Sequence, residues 1–323
     1  GNSSVLVLEG EAGIGKTRLL SAFVETSAAR GATVLRTECY AGEQEIAYAP
    51  IIALLRAGLH LPAAETRLAQ MSEHARFEAA RLLPELDTVH GASAPMTLDA
   101  TAASGRFFEG IALALETLLG ESPPGILTVD NVHWADRATL DFLGYFIRRR
   151  HGIPICMILT RRSEHLRPAD RLQQLLADVS PQTTRTLIEL TRLTRGEVAE
   201  LVEAGQHLFG ADRDELVERL WRASEGLPLF LIEYLDLLAR QPDLAASDAW
   251  SLPGGVQELL QSRIQPVGEA GRQLLTTAAV IGRSFHYDLL QIASGRSEEE
   301  CVAGLEELLA HRLVREVEGL IYD

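Results

Sequence analysis

The segment GEAGIGKT, residues 10–17, constrains the fold of this chain more than any other feature of its sequence. It lies between an apolar, β-branched run at residues 3–9 and an amphipathic run at residues 17–31. The first run predicts a buried strand, and the second predicts a helix that ends at a glycine. In a strand–glycine loop–helix unit, backbone N–H groups and the helix N-terminus converge on one anion. The pattern G-x-x-x-x-G-K-[ST] predicts that this anion is a phosphate chain.

The residues of this loop have distinct predicted roles. Lys16 reaches the terminal phosphates, and the Thr17 hydroxyl is a ligand for Mg²⁺. Lys16 is also the only lysine among the 30 basic residues, which favours a functional role for its compact charge. The predicted nucleotide-binding set is the whole loop with the start of the helix: Gly10, Glu11, Ala12, Gly13, Ile14, Gly15, Lys16, Thr17 and Arg18.

A second apolar run, GILTVD at residues 125–130, predicts the strand that holds the magnesium ion. Its terminal residue, Asp130, would bind Mg²⁺ beside Thr17. The next residue is Asn131, at a position where a hydrolysing enzyme often has a water-activating carboxylate. An amide can orient water, but it cannot accept a proton near neutral pH. The sequence therefore indicates that nucleotide is bound and that hydrolysis, with Lys16, Asp130 and Asn131 at its centre, is slow.

Three other residues are candidates for activating water: His133, Asp136 and Glu11. Each also has a structural interpretation, since His133 can pack beneath the edge of the sheet and Asp136 can cap the following helix. Two arginines, Arg161 and Arg162, follow the next apolar strand and compete for the role of γ-phosphate sensor, because ligands bind at that edge of such sheets.

Apolar strands and helical segments alternate through the first 190 residues. The strands are predicted at residues 3–9, 32–40, 125–130, 153–160 and 185–190, and residues 50–120 are helical with a loose stretch at 89–104. Strands too apolar to face water predict an α/β fold, a parallel sheet covered by helices on both faces. One strand lies between the two site strands in the sequence, which suggests an additional strand between them in the sheet.

After residue 190 the pattern is helical. Three amphipathic helices precede a polar, turn-rich stretch at 241–255, and three more helices with a small hairpin follow it. The predicted domains are therefore a P-loop nucleotide-binding domain at 1–190, a helical domain at 191–245 and a winged-helix domain at 253–323, truncated at its C-terminus.

Four segments, in order, resemble the STAND class of P-loop ATPases: VLVLEGEAGIGKTRLL, LTVDNVHWADRATLDFL, ILTRRSE and ASEGLPLFLIEYLDLL. More narrowly, they are similar to the ATPase modules of large LuxR-type (maltose-regulon-activator-like) transcriptional regulators. The resemblance implies that Gly226 and Pro228 lie against the adenine side of ATP or ADP, and that Arg162 matches the sensor arginine better than Arg161. It also implies that the winged helix is a nucleotide lid.

The sequence departs from this family at several places. Many relatives have a second aspartate where this chain has Asn131, and the family's upstream adenine-binding segment, winged-helix histidine and DNA-binding helix-turn-helix have no counterpart here. The helix predicted at 297–310 carries five glutamates and no basic residue, so phosphates would repel it. We therefore expect no direct binding of nucleic acid by this chain.

Composition argues against several classes of partner and site. The net charge of −15 argues against a general nucleic-acid surface, and three widely spaced cysteines form no disulfide or zinc pattern. No apolar run is long enough to span a membrane. These features predict a cytoplasmic protein without a membrane partner.

The function predicted from the sequence is an ATP/ADP-binding signalling ATPase module with Mg²⁺, a switch with weak hydrolysis inside a larger regulatory protein such as a transcriptional regulator. ATP would promote self-association, and inducer-sensing and output domains would belong to the same full-length protein. The alternatives are an AAA-plus-like motor with substantial turnover and a degenerate scaffold that binds no nucleotide.

Overall fold

The computed structural model describes residues 3–86, 100–120, 125–149, 154–163, 174, 183–204, 213–241, 250–282, 284–311, 313–318 and 321–322. The chain separates into two compact units, Gly1–Leu190 and Thr191–Asp323. The division into three domains stays a prediction. Within the described ranges, no helix has the length and apolar character that a membrane crossing requires.

The first unit is built on a five-stranded parallel sheet. Its strands are β1 (Ser4–Gly10), β2 (Val34–Glu38), β3 (Gly125–Asp130), β4 (Ile155–Arg162) and β5 (Thr184–Glu189), in the order β2-β3-β4-β1-β5. This confirms the predicted α/β class and parallel sheet. All strands begin and end within a few residues of the predicted positions, because each apolar run is short and bounded by turn-forming residues.

The strand between the two site strands is β4, and β2 lies at the outer edge beside β3. The sequence suggested that an extra strand separates the site strands, and it pointed to the one that lies between them in the chain. Burial explains the observed order. Every residue of β3 is buried, whereas β2 carries an exposed residue in its middle. The most apolar strands take the centre of the sheet, where helices cover both faces.

The helices of this unit pack on both faces of the sheet. They are α1 (Lys16–Ala29), α2 (Ala49–Leu59), α3 (Ala64–Leu68), α4 (Glu73–Ala80), α5 (Ala100–Leu119) and α6 (Arg137–Arg149). On one face, Leu8 and Ile158 pack with Leu20 of α1. On the other face, Val7 and Val129 belong to the large core formed with α2, α5 and α6.

Two sequence predictions are corrected in this unit. The stretch expected to be loose at 89–104 is helical from Ala100 onward, because its alanines favour a helix; residues 89–99 lie outside the described part of the chain. The expectation that every strand is too apolar to face water is wrong for β5, where Thr184–Leu187 are exposed. β5 is an edge strand, and it begins with three polar residues, Thr184, Arg185 and Thr186.

The second unit contains two hydrophobic clusters. The first joins α7 (Arg195–Ala204), α8 (Arg213–Ser224) and α9 (Pro228–Arg240). The second lies among α11 (Glu269–Ile281), α12 (Tyr287–Ser294) and α13 (Glu298–Ala310), which follow α10 (Gly254–Ile264). A three-stranded antiparallel sheet completes this part, with β6 (Phe285–His286), β7 (Glu316–Glu318) and β8 (Ile321–Tyr322) in the order β6-β8-β7.

The sequence predicted three helices and a hairpin after residue 253, and the structure adds α12 and β6. Both are short, and α12 has only eight residues, which is too few for a clear helical period. The predicted hairpin is present as β7 and β8. The winged-helix arrangement stays a prediction.

Candidate functional site

The loop between β1 and α1 has the backbone that the glycine pattern predicts. Gly13 and Gly15 have φ angles of +85° and +102°, values that residues with a side chain rarely adopt. Gly15 directly precedes α1, and its carbonyl accepts a hydrogen bond from the Leu19 N–H. At Gly10, a Cβ atom would lie 2.9 Å from both the Ile14 side chain and the Leu190 carbonyl. The loop therefore requires glycine at these positions.

Lys16 folds back over this loop. Its Nζ donates hydrogen bonds to the Gly10 carbonyl at 2.8 Å and to the Glu11 carbonyl at 2.7 Å, and only 7% of the residue is exposed. Thr17 and Arg18 follow in the first turn of α1 and are exposed. The ammonium group is thus held at the loop by carbonyl oxygens, and phosphate oxygens could take over these bonds.

Strand alternation places four further polar side chains on the face of the sheet that α1 covers. Ile126 of β3 and Ile158 of β4 pack against Leu20 of α1. Residues separated by an even number of positions in a strand point to the same face. Asp130 on β3, and Thr160 and Arg162 on β4, therefore point to the α1 face. Glu38 shares it too, because Val34 of β2 packs in the same cluster. All lie at the carboxyl ends of their strands, the edge at which the loop of Lys16 also begins.

Asp130 is fully buried at this edge. Its Oδ1 accepts hydrogen bonds from the Thr160 hydroxyl and from the Asn131 N–H, the latter at 3.1 Å. Its Oδ2 accepts no hydrogen bond from any described residue and lies 3.9 Å from Arg36 Nη2. A buried carboxylate oxygen without a donor fits a cation, because an unsatisfied buried oxygen is otherwise unfavourable.

This donor set fits Mg²⁺ rather than a metal held by protein alone. In the part of the chain that the structure describes, no group of three or more His, Cys, Asp or Glu side chains could hold a metal ion. Mg²⁺ is commonly bound by one or two protein oxygens together with waters and substrate phosphates. Asp130 and the Thr17 hydroxyl would supply such oxygens, and the ion would neutralise charge on the bound phosphates.

Glu38 is a site residue that the sequence analysis missed. It is the register partner of Asp130 across the β2–β3 pair, and it is partly buried. Its Oε1 accepts a hydrogen bond from the Asn131 side-chain amide at 3.2 Å, and its Oε2 accepts one from the Tyr40 hydroxyl at 3.2 Å. An acidic residue at the end of the second strand was visible in the sequence, but its neighbour in the sheet was not.

Asn131 itself has a left-handed backbone, with φ +54° and ψ +41°. Its N–H also donates to the Thr160 hydroxyl at 2.8 Å. Asparagine adopts this conformation more readily than most residues with a side chain. The turn directs the amide of Asn131 towards Glu38, and the backbone N–H secures the Asp130 carboxylate.

Two of the other candidates for activating water, Asp136 and His133, have structural contacts. Asp136 accepts hydrogen bonds from the Thr139 N–H at 2.9 Å and the Thr139 hydroxyl at 2.5 Å, which caps α6. It also accepts the Tyr48 N–H at 3.1 Å at the start of α2. The His133 ring packs against Trp134 in a tilted arrangement, with ring centroids 4.9 Å apart.

The two arginines of β4 have different surroundings. Arg161 lies opposite Glu9 of β1, and its Nε and Nη2 donate to Glu9 Oε2 at 2.9 and 2.6 Å. Both residues are less than a tenth exposed and lie on the face away from α1. Arg162 is the register partner of Gly10, on the α1 face. The geometry therefore favours Arg162 for a contact with phosphate.

The pKa of the Cys39 thiol is affected by several carboxylates near this edge. Burial, together with the carboxylates of Asp136, Asp130, Glu38 and Glu43, raises the pKa of Cys39 to about 12. An edge that carries this many negative charges favours a bound cation.

Gly226 and Pro228 lie in the second unit, where local packing explains both. Gly226 has φ +74°, and a Cβ atom there would lie 2.2 Å from the Leu193 carbonyl. The Leu193 N–H also donates to the Gly226 carbonyl at 2.8 Å. Pro228 occupies the first turn of α9, where its missing N–H is tolerated. Their contact with adenine stays a prediction.

The chain is similar to known proteins in sequence and in fold. Residues 1–158 match the family described as AAA ATPase domain. An uncharacterised protein of Rhizobium meliloti (strain 1021) is 26% identical over 308 residues, which cover 90% of this chain and 28% of that protein. The chain thus spans about a quarter of this relative's length.

A solved structure, the Walker-type ATPase paby2304 of Pyrococcus abyssi, superposes with a TM-score of 0.55 at 15% identity, over 99% of this chain and 88% of that one. At this identity the likeness shows a shared fold. Residues 1–158, which contain the glycine loop and the buried Asp130, are similar in sequence to AAA ATPase domains.

Proposed function

We propose that this chain is the ATP/ADP-binding signalling ATPase module of a larger regulatory protein, a switch that hydrolyses ATP slowly. One observation carries the proposal. The buried Oδ2 of Asp130 lacks a hydrogen-bond donor among the described residues, and it lies at the same sheet edge as the loop of Lys16. A Mg²⁺–nucleotide complex satisfies both groups at once.

Nucleotide binding rearranges contacts that the loop already makes. Lys16 Nζ exchanges the Gly10 and Glu11 carbonyls for phosphate oxygens, and the exposed Thr17 hydroxyl turns to Mg²⁺. Arg162 senses the γ-phosphate, which distinguishes ATP from ADP. Differential contacts with one phosphate are the physical basis of a nucleotide switch.

The regulatory role is supported by the resemblance to STAND ATPases and LuxR-type regulators. In this proposal, Gly226 and Pro228 contact adenine, a winged helix covers the nucleotide, and exchange of ADP for ATP exposes a surface for self-association. The output and sensing domains lie in the remainder of the full-length protein. The 28% share of the relative that this chain covers is consistent with a module of a longer protein.

Calorimetric titration of the chain with ATP and ADP, each with and without Mg²⁺, tests the binding part of the proposal. We expect Lys16→Ala to weaken nucleotide binding by at least about 100-fold, since it removes the positive charge that would contact the phosphates. Asp130→Asn should remove the dependence on Mg²⁺. Arg30→Ala, at the exposed far end of α1, is the matched control for loss of a cation and should bind normally.

Two results would contradict the proposal in different ways. If the unaltered chain binds neither nucleotide, and Lys16→Ala changes nothing, the chain is a scaffold. If it turns over ATP near the typical enzyme value of about 10 per second, it is a motor rather than a slow switch.

A further inference from the structure

Glu38 lies at the carboxyl end of β2, the strand beside the one that carries Asp130. Glu38 is the register partner of Asp130 on the adjacent strand, so the two backbones are separated by about 4.8 Å, the usual spacing of paired strands. Strand alternation places both side chains on the α1 face. A carboxylate at position 38 therefore lies next to Asp130, the proposed Mg²⁺ ligand, on the same face of the sheet.

The hydrogen bonds to Glu38 fix its orientation and leave it able to bind water. The Asn131 amide donates to Oε1 and the Tyr40 hydroxyl donates to Oε2, each at 3.2 Å. Each carboxylate oxygen has a second lone pair, so each can still accept a proton from water. The Asn131 amide cannot accept a proton, but it orients the carboxylate of Glu38, which can accept one.

We propose that Glu38 is the general base for ATP hydrolysis and that Asn131 is its positioning residue. The proposal rests on the function proposed above, since it requires ATP to bind at Lys16 and Asp130. It places the proton acceptor on β2, one strand away from Asp130, instead of on the residue after Asp130.

The step is a single displacement at phosphorus. The oxygen of a water molecule forms a bond to the γ-phosphorus while a proton of that water moves to Glu38. The bond between the γ-phosphorus and the β–γ bridging oxygen breaks, and ADP leaves with that electron pair. Glu38 then returns its proton to solvent or phosphate, so ATP and water become ADP, phosphate and a proton.

Asp136 and Asp130 are occupied by other contacts. Asp136 caps α6 and holds the Tyr48 N–H, and Asp130 is turned towards Thr160 with its second oxygen suited to Mg²⁺. Glu43 is exposed in the short helical turn after β2. It carries the same charge as Glu38 and lies close enough to influence Cys39, which makes it a matched control.

Single-turnover hydrolysis of Mg²⁺–ATP, with protein in excess over nucleotide, tests the assignment. We expect Glu38→Gln to slow the rate by about 100-fold or more, because a general base contributes a factor of this size, while ATP affinity changes by less than about threefold. Glu43→Gln should hydrolyse ATP at nearly the unaltered rate. A Glu38→Gln protein that binds ATP and hydrolyses it within about threefold of the unaltered rate overturns the proposal.

A second variant separates catalysis from structure. In Glu38→Gln/Asn131→Asp the carboxylate and the amide exchange positions, and the amide now at position 38 can donate to the new acid at position 131. We expect this double variant to recover at least about tenfold of the lost rate, which a purely structural role for Glu38 would not produce. Asn131→Asp alone places two carboxylates side by side, and we expect no increase in rate, because like charges oppose ionisation of the pair.

The result for the unaltered chain distinguishes the two proposals. If it binds ATP but shows no single-turnover hydrolysis, the assignment of Glu38 fails while nucleotide binding at Lys16 stands. If it binds no nucleotide, the proposed function fails and the assignment fails with it. If the double variant folds and binds ATP but stays as slow as Glu38→Gln, the exchange of roles between positions 38 and 131 is wrong.

Discussion

The ion pair between Glu9 and Arg161 allows a test of the roles of two arginines: Arg161 should stabilise the fold, and Arg162 should contact the nucleotide. Arg161→Ala would leave the Glu9 carboxylate buried without its partner, because both of the short contacts to Oε2, at 2.9 and 2.6 Å, come from that guanidinium. Removing one partner of a buried pair costs about 3–5 kcal/mol. For a unit of this size, each kcal/mol lowers Tm by about 2–4 °C, so we expect Tm to fall by about 6–20 °C.

Thermal unfolding followed by circular dichroism, with and without ATP or ADP, measures the effect. The matched control is Arg162→Ala, which removes the same side chain one residue later on the opposite face of β4 and should shift Tm by no more than about 2 °C. Arg162→Ala should instead reduce the preference for ATP over ADP. Replacing both members of the pair, as Glu9→Met/Arg161→Met, should recover most of the lost stability, since no buried charge then remains.

The opposite pattern would refute this reasoning. If Arg161→Ala unfolds at the unaltered Tm and loses its discrimination between ATP and ADP, then Arg161 is the sensor. Its contact with Glu9 would then be a resting arrangement that nucleotide breaks, and the face assignment of the two arginines would be wrong.

Two further predictions concern backbone strain and pH. Gly226→Ala should destabilise the second unit by at least about 2 kcal/mol in urea unfolding, because the Cβ would meet the Leu193 carbonyl at a positive φ, whereas Gly196→Ala in α7 should be neutral or stabilising. The raised pKa of Cys39, about 12, means that the folded state keeps a proton which the unfolded state loses above about pH 9. Cys39 therefore stabilises the fold below pH 9, and this contribution declines as pH rises towards 12. Urea unfolding between about pH 7 and 10.5 should show a smaller loss of stability for Cys39→Ala than for the unaltered chain, and equal losses would contradict the assignment.

Local pattern was sufficient to predict where the strands and the phosphate loop lie. The apolar runs of β1 and β3 are bounded by turn-forming residues, and the glycines at 13 and 15 adopt the positive φ angles that their pattern requires. Strand order depends on a competition between segments far apart in the chain. The largely buried β3 and β4 take central positions and the partly exposed β2 goes to the edge, which no single segment determines.

The same limit explains why Glu38 was missed. A search along the chain for a second acid near Asp130 ends at Asn131, the next residue. In a sheet, however, successive residues point to opposite faces, and the neighbour of a side chain on its own face belongs to the adjacent strand. For Asp130 that neighbour is Glu38, 92 residues earlier in the chain but its register partner in the sheet. The absence of an acid at position 131 is therefore weak evidence against hydrolysis, because the proton acceptor can come from β2 while the amide at 131 holds it in place.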